Sequence, residues 1–219
     1  MLSERLAQVE ERIRNAANRA GRKREEITLI AVTKKFPSEL VREGYDLGLR
    51  VFGENYVQEF ERKQPALTDL TGAEFHLIGH LQSNKSRIAG DLFQVIETVD
   101  SEKLARRLDQ LDKPIEVMIE VKLSHEESKE GAAPEAIPEL ISAIRDCPNL
   151  KLTGLMTMPP WCDDPEVTRP YFRELASLAR LHGLTKLSMG MSHDLEAAIE
   201  EGSTHVRVGT ALFGPRAKP

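Results

Sequence analysis

Ile27-Thr28-Leu29-Ile30-Ala31-Val32-Thr33-Lys34 is rich in β-branched side chains and carries no charge until its last residue. A run of this kind reads as a β-strand buried on both faces, the form that strands take in parallel sheets covered by helices. The lysine at its end would hold its amine at the lip of a core. Partial desolvation disfavours an ammonium, frees the nitrogen lone pair and equips it to attack an aldehyde. A lysine snorkelling from a strand end fits the same residues.

Upstream of this run, Leu2, Leu6, Val9 and Ile13 recur at helical spacing among charges, which predicts a leading amphipathic helix ending near Gly21. Downstream, strand and helix signals alternate. Pro37 and Ser38 open a helix that runs to Gly48, and a short second strand begins at Val51-Phe52 and ends at Gly53-Glu54-Asn55. Residues 74–78 form the third strand, closed by Gly79, with a helix from about Ser83. Val95–Val99 is the fourth, and Asp100 and Ser101 cap a helix whose apolar stripe begins at Leu104. The fifth and sixth are residues 115–121 and 150–158, the latter stopped by Pro159-Pro160. After a helix over 165–182 come Lys186–Met191 and His205–Val208, and Gly209 ends the eighth strand.

Strands alternating with helices imply right-handed crossovers and a parallel sheet. Eight such units in 219 residues predict an α/β fold: a single (β/α)8 TIM barrel with an extra N-terminal helix, one domain over residues 1–219. An open doubly wound sheet is the other arrangement, but no G-x-G-x-x-G follows the first strand.

Composition narrows the class of function. The chain is 40% apolar, and 30 basic against 35 acidic residues leave a formal charge of -5 with no basic block, so no nucleic-acid partner is expected. Cys147 and Cys162 stand in no metal or redox spacing, which suits free thiols in a reducing compartment. The N-terminus enters a charged helical pattern directly, with no signal peptide, lipidation motif or membrane-length apolar stretch. A cytoplasmic location without membrane contact is expected. His125 and Glu126-Glu127 are ligand types, but no second histidine stands at ligand spacing, so a solvated loop and no metal are expected there. Lys129 reads as a surface lysine, and the 126–134 loop as the most mobile segment.

In a barrel, reactive groups gather at the C-terminal ends of the strands. Here those ends carry Lys34, Asn55, the His76 region, Met158, Met191-Ser192 and Gly209-Thr210. Ser188-Met189-Gly190-Met191-Ser192-His193-Asp194 leads into a helix; Gly190 permits close backbone approach, and Ser192 is the expected N-cap of a first turn that offers N–H groups to an anion. Gly209-Thr210 adds donors after the eighth strand, and phosphate sites in such barrels recur after strands seven and eight. An ordinary cap and turn fits these residues too. Arg207 lies inside the last strand, where a buried charge needs a partner. A pyridine nitrogen would accept its hydrogen bond and be kept unprotonated; an ion pair with Glu54 or Asp194 is the alternative. A lysine for an aldehyde, a phosphate cradle and an arginine for a ring nitrogen together describe pyridoxal 5'-phosphate (PLP). A Schiff-base aldolase acting on a phosphorylated sugar would use the same lysine and cradle without a cofactor.

The residues also resemble a known family. Ala31-Val32-Thr33-Lys34, Phe52-Gly53-Glu54-Asn55-Tyr56-Val57-Gln58-Glu59 and Phe75-His76-Leu77-Ile78-Gly79-His80-Leu81-Gln82-Ser83-Asn84-Lys85 are similar to segments of the pyridoxal phosphate homeostasis protein family, also called YggS/PROSC-like, with the fold of the alanine racemase N-terminal domain. Glu127-Ser128-Lys129 with Gly131, Gly154-Leu155-Met156, residues 187–192 with Asp194, and Val206-Arg207-Val208-Gly209 with Phe213-Gly214 extend the resemblance over nearly the whole chain. It implies that Lys34 carries PLP as an internal aldimine, that Ser192, Gly209 and Thr210, beside Met191, bind the phosphate, and that Arg207 faces the pyridine nitrogen. Asn55 and His76 would lie near the ring, with Met156 and Met158 as apolar packing. Lys35 alternates to the opposite face from Lys34, and the motif favours Lys34.

The related racemases add a second domain with a catalytic tyrosine. This chain stops at Pro219, and Tyr45, Tyr56 and Tyr171 do not stand where such a domain would reach. The expectation is a protein that holds PLP and delivers it to PLP-dependent apo-enzymes without substantial catalysis, as a monomer or weak homodimer. A low-activity amino acid racemase or lyase is the alternative.

Overall fold

The computed structural model describes residues 1–124 and 130–215. Each apolar run pairs with the next, and β1 (Thr28–Val32), β2 (Val51–Glu54), β3 (Glu74–Leu77), β4 (Val95–Val99), β5 (Ile115–Glu120), β6 (Leu150–Met156), β7 (Lys186–Met191) and β8 (His205–Val208) close in sequence order into a parallel barrel. The ring is sealed where Thr28 pairs with His205 and Ala31 with Val208. The TIM barrel is therefore the fold, and the segment 125–129, with the readings placed on it above, lies outside the described residues.

Alternation within β1 shows how one strand serves two layers. Leu29 and Ala31 join the apolar cluster between barrel and helices. Ile30 turns inward, where its side chain would meet any Cβ placed on Gly53, and Val32 and Lys34 continue that inward line to the mouth. The outer cluster is closed by α2 (Ser38–Asp46), α3 (Val57–Lys63), α4 (Ser86–Leu92), α5 (Glu102–Asp109), α6 (Ile137–Arg145), α7 (Arg169–Leu181), α8 (Leu195–Glu200) and the short α9 (Thr210–Phe213). The predicted leading helix, the one element outside the repeat, is Leu2–Arg19; it buries Leu2, Val9, Ile13, Ala16 and Ala17 against α8 and α9.

Several boundaries differ from expectation. The regular strand ends at Val32 rather than Lys34 because Lys35 takes a left-handed backbone (φ 63°) and the chain turns. The sixth strand ends at Met156 rather than 158, ahead of the two prolines. Ser101 stands at the N-cap of α5 but makes no side-chain capping bond. The helix expected over 165–182 is divided: a single 3-10 turn at Pro165–Val167 precedes α7.

Candidate functional site

The C-terminal mouth of the barrel holds a cavity of about 210 Å³ lined by Val32, Lys34, Asn55, Ile78, Met158, Trp161, Met191, Ser192, His193, Arg207, Gly209 and Thr210. It gathers the expected site residues except His76 and Met156, of which Met156 is fully buried in β6 and only Met158 reaches the cavity. Val32, Ile78, Trp161 and His193 were not foreseen.

Lys34 is half-buried and lines the cavity, whereas Lys35 is exposed. The turn between them is clamped from outside the barrel. Lys63 Nζ, on α3, donates to the Thr33 carbonyl (2.9 Å) and pairs with Glu54 (2.9 Å) and Glu59 (2.6 Å). Thr33 Oγ1 donates to Glu54 Oε1 (2.9 Å), and the Lys35 N–H donates to Glu59 Oε1 (2.5 Å). Burial raises the Glu54 carboxyl above its ordinary value, and Lys63 works against that shift. The residues on both sides of Lys34 are thus fixed by one ion cluster.

Across the mouth, Gly190 (φ 91°) allows a register shift in β7 between Ser188 and Met191, which brings Met191 and Ser192 to the cavity wall. A Cβ on Gly190 would lie 2.4 Å from that of Ala198, so α8 seats directly on the bulge. Ser192 is not the N-cap of α8. That place belongs to Asp194, whose Oδ1 accepts the Met191 N–H (2.7 Å) and folds the intervening turn. The Ser192 hydroxyl instead lies 3.4 Å from Thr210 Oγ1 and from the Ala211 N–H, bringing two turns together. The leading helix buttresses them: Arg12 Nη1 donates to the Ser192 carbonyl (2.9 Å) while the guanidinium forks onto Glu196 at 2.6 and 2.8 Å. First-turn N–H groups of α9 and these hydroxyls form a set of donors suited to an anion.

Arg207 forms the cavity floor, 3% exposed. Its hydrogen bonds go neither to Glu54, which faces the helices, nor to Asp194. Nη1 donates to Ser188 Oγ (2.7 Å) and Nη2 to the Thr157 carbonyl (2.8 Å). His76 is buried in the barrel interior without lining the cavity, with Nδ1 2.7 Å from Glu97 Oε1. Burial opposes its charge, but the carboxylates of Glu74 and Glu97 outweigh that and raise it to about 9. His205, in contrast, is pushed down to about 4 by burial and by the charges of His76 and Lys186, against the pull of Glu97.

Asn55 Oδ1 is buried at the cavity wall and has no hydrogen-bond partner among the described residues. An orphaned acceptor, a lysine amine, a cationic floor, hydroxyl donors and apolar walls fit a phosphorylated heteroaromatic aldehyde such as PLP. Trp161, set just after the two prolines, stands at the rim with its ring 5.7 Å from that of His193. No periodicity could have signalled it. Apart from this cavity, His80 and Asp100, which follow β3 and β4, approach Glu130, with the imidazole 3.7 and 3.6 Å from the two carboxylates.

The model of the alanine racemase N-terminal domain matches residues 5–217. The pyridoxal phosphate homeostasis protein of Aquifex aeolicus is 46% identical over 97% of both chains. That of Escherichia coli K12 is 44% identical over 98% of this chain and 97% of its own. PipY of Synechococcus elongatus, in its structure with PLP bound, is 36% identical with a TM-score of 0.85, covering 98% of this chain and 100% of that one.

Proposed function

We propose, because the chain belongs to the pyridoxal phosphate homeostasis protein family, that it holds PLP at the mouth of its barrel and serves intracellular PLP homeostasis. The observation that carries this reading is the placement of Lys34, Arg207 and the Ser192–Thr210 pair around one cavity. PLP supplies an aldehyde that condenses reversibly with a primary amine, releasing water. Lys34 offers that amine. The hydroxyls of Ser192 and Thr210 and the N–H groups at Gly209 and Thr210 receive the phosphate. Arg207 would donate to the ring nitrogen, and its permanent charge would keep that nitrogen unprotonated and so restrain carbanion chemistry.

A carrier rather than a racemase is the role these residues support. Stereochemical inversion needs a base on each face of the reacting carbon and a site closed to water. None of the three tyrosines lines the cavity, and Trp161 at its rim is 68% exposed. An accessible covalent link lets the protein shield a reactive aldehyde and hand it to apo-enzymes. No helix among the described residues is long and apolar enough to cross a membrane, and the two cysteines are free thiols, in keeping with work in the cytoplasm.

The test is to titrate the purified protein and a Lys34→Ala variant with PLP, then incubate the loaded protein with L- or D-alanine. A visible band in the unsubstituted protein alone, followed by transfer to an apo-enzyme without racemisation, is expected. Racemisation dependent on Lys34 would contradict the carrier role, and a protein that stays colourless would contradict PLP binding.

A further inference from the structure

Beneath the cavity the barrel interior holds a polar cluster around Glu97 on β4, which has 0% exposure. A carboxylate removed from water this completely is costly unless both oxygens are bonded. Here both are. Oε1 lies 2.7 Å from His76 Nδ1, and Oε2 accepts the Ser188 hydroxyl at 2.5 Å. A hydroxyl has one proton to give. Spending it on Glu97 leaves the Ser188 oxygen as an acceptor turned to Arg207 Nη1 at 2.7 Å. Arg207 can only donate and the Glu97 carboxylate can only accept, so Ser188 between them must accept from the one and donate to the other.

We propose that Glu97 is a positioning residue for the cofactor: through Ser188 it holds the Arg207 guanidinium in the orientation that meets the ring nitrogen. The proposal rests on the PLP reading above and adds to it what keeps the arginine in place. Four strands cooperate in this layer, since β3 supplies His76, β4 Glu97, β7 Ser188 and β8 Arg207. Other charged groups act on the chain. Glu120 and Asp194 face Arg207 through space, His205 faces Glu97, and Glu74 lies 3.8 Å from His76 Nε2. None of them makes the bond that orients Ser188. Burial opposes the charge on Glu97, but His76 and Arg207 outweigh it and hold the carboxyl down at about 2.

The experiment loads the unsubstituted protein, Glu97→Gln and Ser188→Ala with PLP. It records the visible band against pH and the rate of cofactor release, and follows the His76 ring by NMR in the protein without cofactor. Glu97→Gln keeps the shape and removes the charge; Ser188→Ala removes only the relay, and carries the test if the first variant does not fold. Both variants are expected to form the band, to release the cofactor about tenfold faster or more, and to show a protonation step in the band between pH 5 and 9 that the unsubstituted protein lacks. The His76 titration is expected to move down from its position in the unsubstituted protein in Glu97→Gln alone, with Glu74 still supporting its charge. Folded variants whose band, pH profile and release rate match the unsubstituted protein would overturn the positioning role while leaving PLP binding intact. An unsubstituted protein that forms no band would overturn the PLP reading, and this proposal with it.

Discussion

Lys63 Nζ donates a 2.9 Å hydrogen bond to the carbonyl oxygen of Thr33, the residue immediately ahead of Lys34. The same ammonium neutralises Glu54, whose side chain has no exposure, so one group both satisfies a buried acid and fixes the strand end that presents the amine. Lys63→Met leaves Glu54 buried without its cation and is expected to cost about 3 kcal/mol or more, read as a lowered denaturation midpoint. Lys63→Arg should recover most of that loss. A Lys63→Met protein as stable as the unsubstituted one would show that the cluster is not needed to hold the turn.

Arg12 ties the leading helix to the Ser192 turn. Arg12→Ala should weaken retention of PLP about tenfold by freeing the anion-facing hydroxyl, and should leave the binding of pyridoxal, which lacks the phosphate, unchanged. Equilibrium titrations with the two vitamers check this difference.

Trp161 is the single tryptophan, and it lines the cavity rim. Its emission should fall as PLP enters and recover as the cofactor leaves. Trp161→Phe abolishes the signal while the visible band still forms. Unchanged emission on saturation would place the bound ring away from this rim.

His76 carries a folded-state value of about 9 against an ordinary 6.5. It binds its proton more tightly in the folded protein, so its stabilisation is complete below pH 6.5 and is lost as pH rises through 9. Stability should fall over that window by on the order of a few kcal/mol. His76→Gln should flatten that fall, which urea midpoints measured from pH 6 to 10 will show.

The barrel was legible because its strands are short apolar runs bounded by glycine, proline or polar turns, each signal local to one segment. Lys34 was legible for the same reason, as a charge closing such a run. The interior network was not. Glu97 sits in Val95-Ile96-Glu97-Thr98-Val99, which reads as a strand with one stray acid, and its partners lie 21 and 91 residues away in sequence. A serine at position 192 reads as a helix cap, whereas the bulge at Gly190 delays the helix to Leu195. The strand position of Arg207 announced a need for partners but not which ones; the parallel pairing of β7 with β8 and its register shift decide that. His76 is placed near the ring by the resemblance alone, and nothing in the sequence signals that a carboxylate holds it under the cavity instead of at its wall.

The most direct measurement is reduction of the PLP-loaded protein with borohydride, followed by peptide mass mapping of the modified lysine. A reduced adduct on Lys34, absent when Lys34→Ala is treated alike, is the predicted result. An adduct confined to Lys35, Lys63 or any other amine, with Lys34 unmodified, would contradict the account.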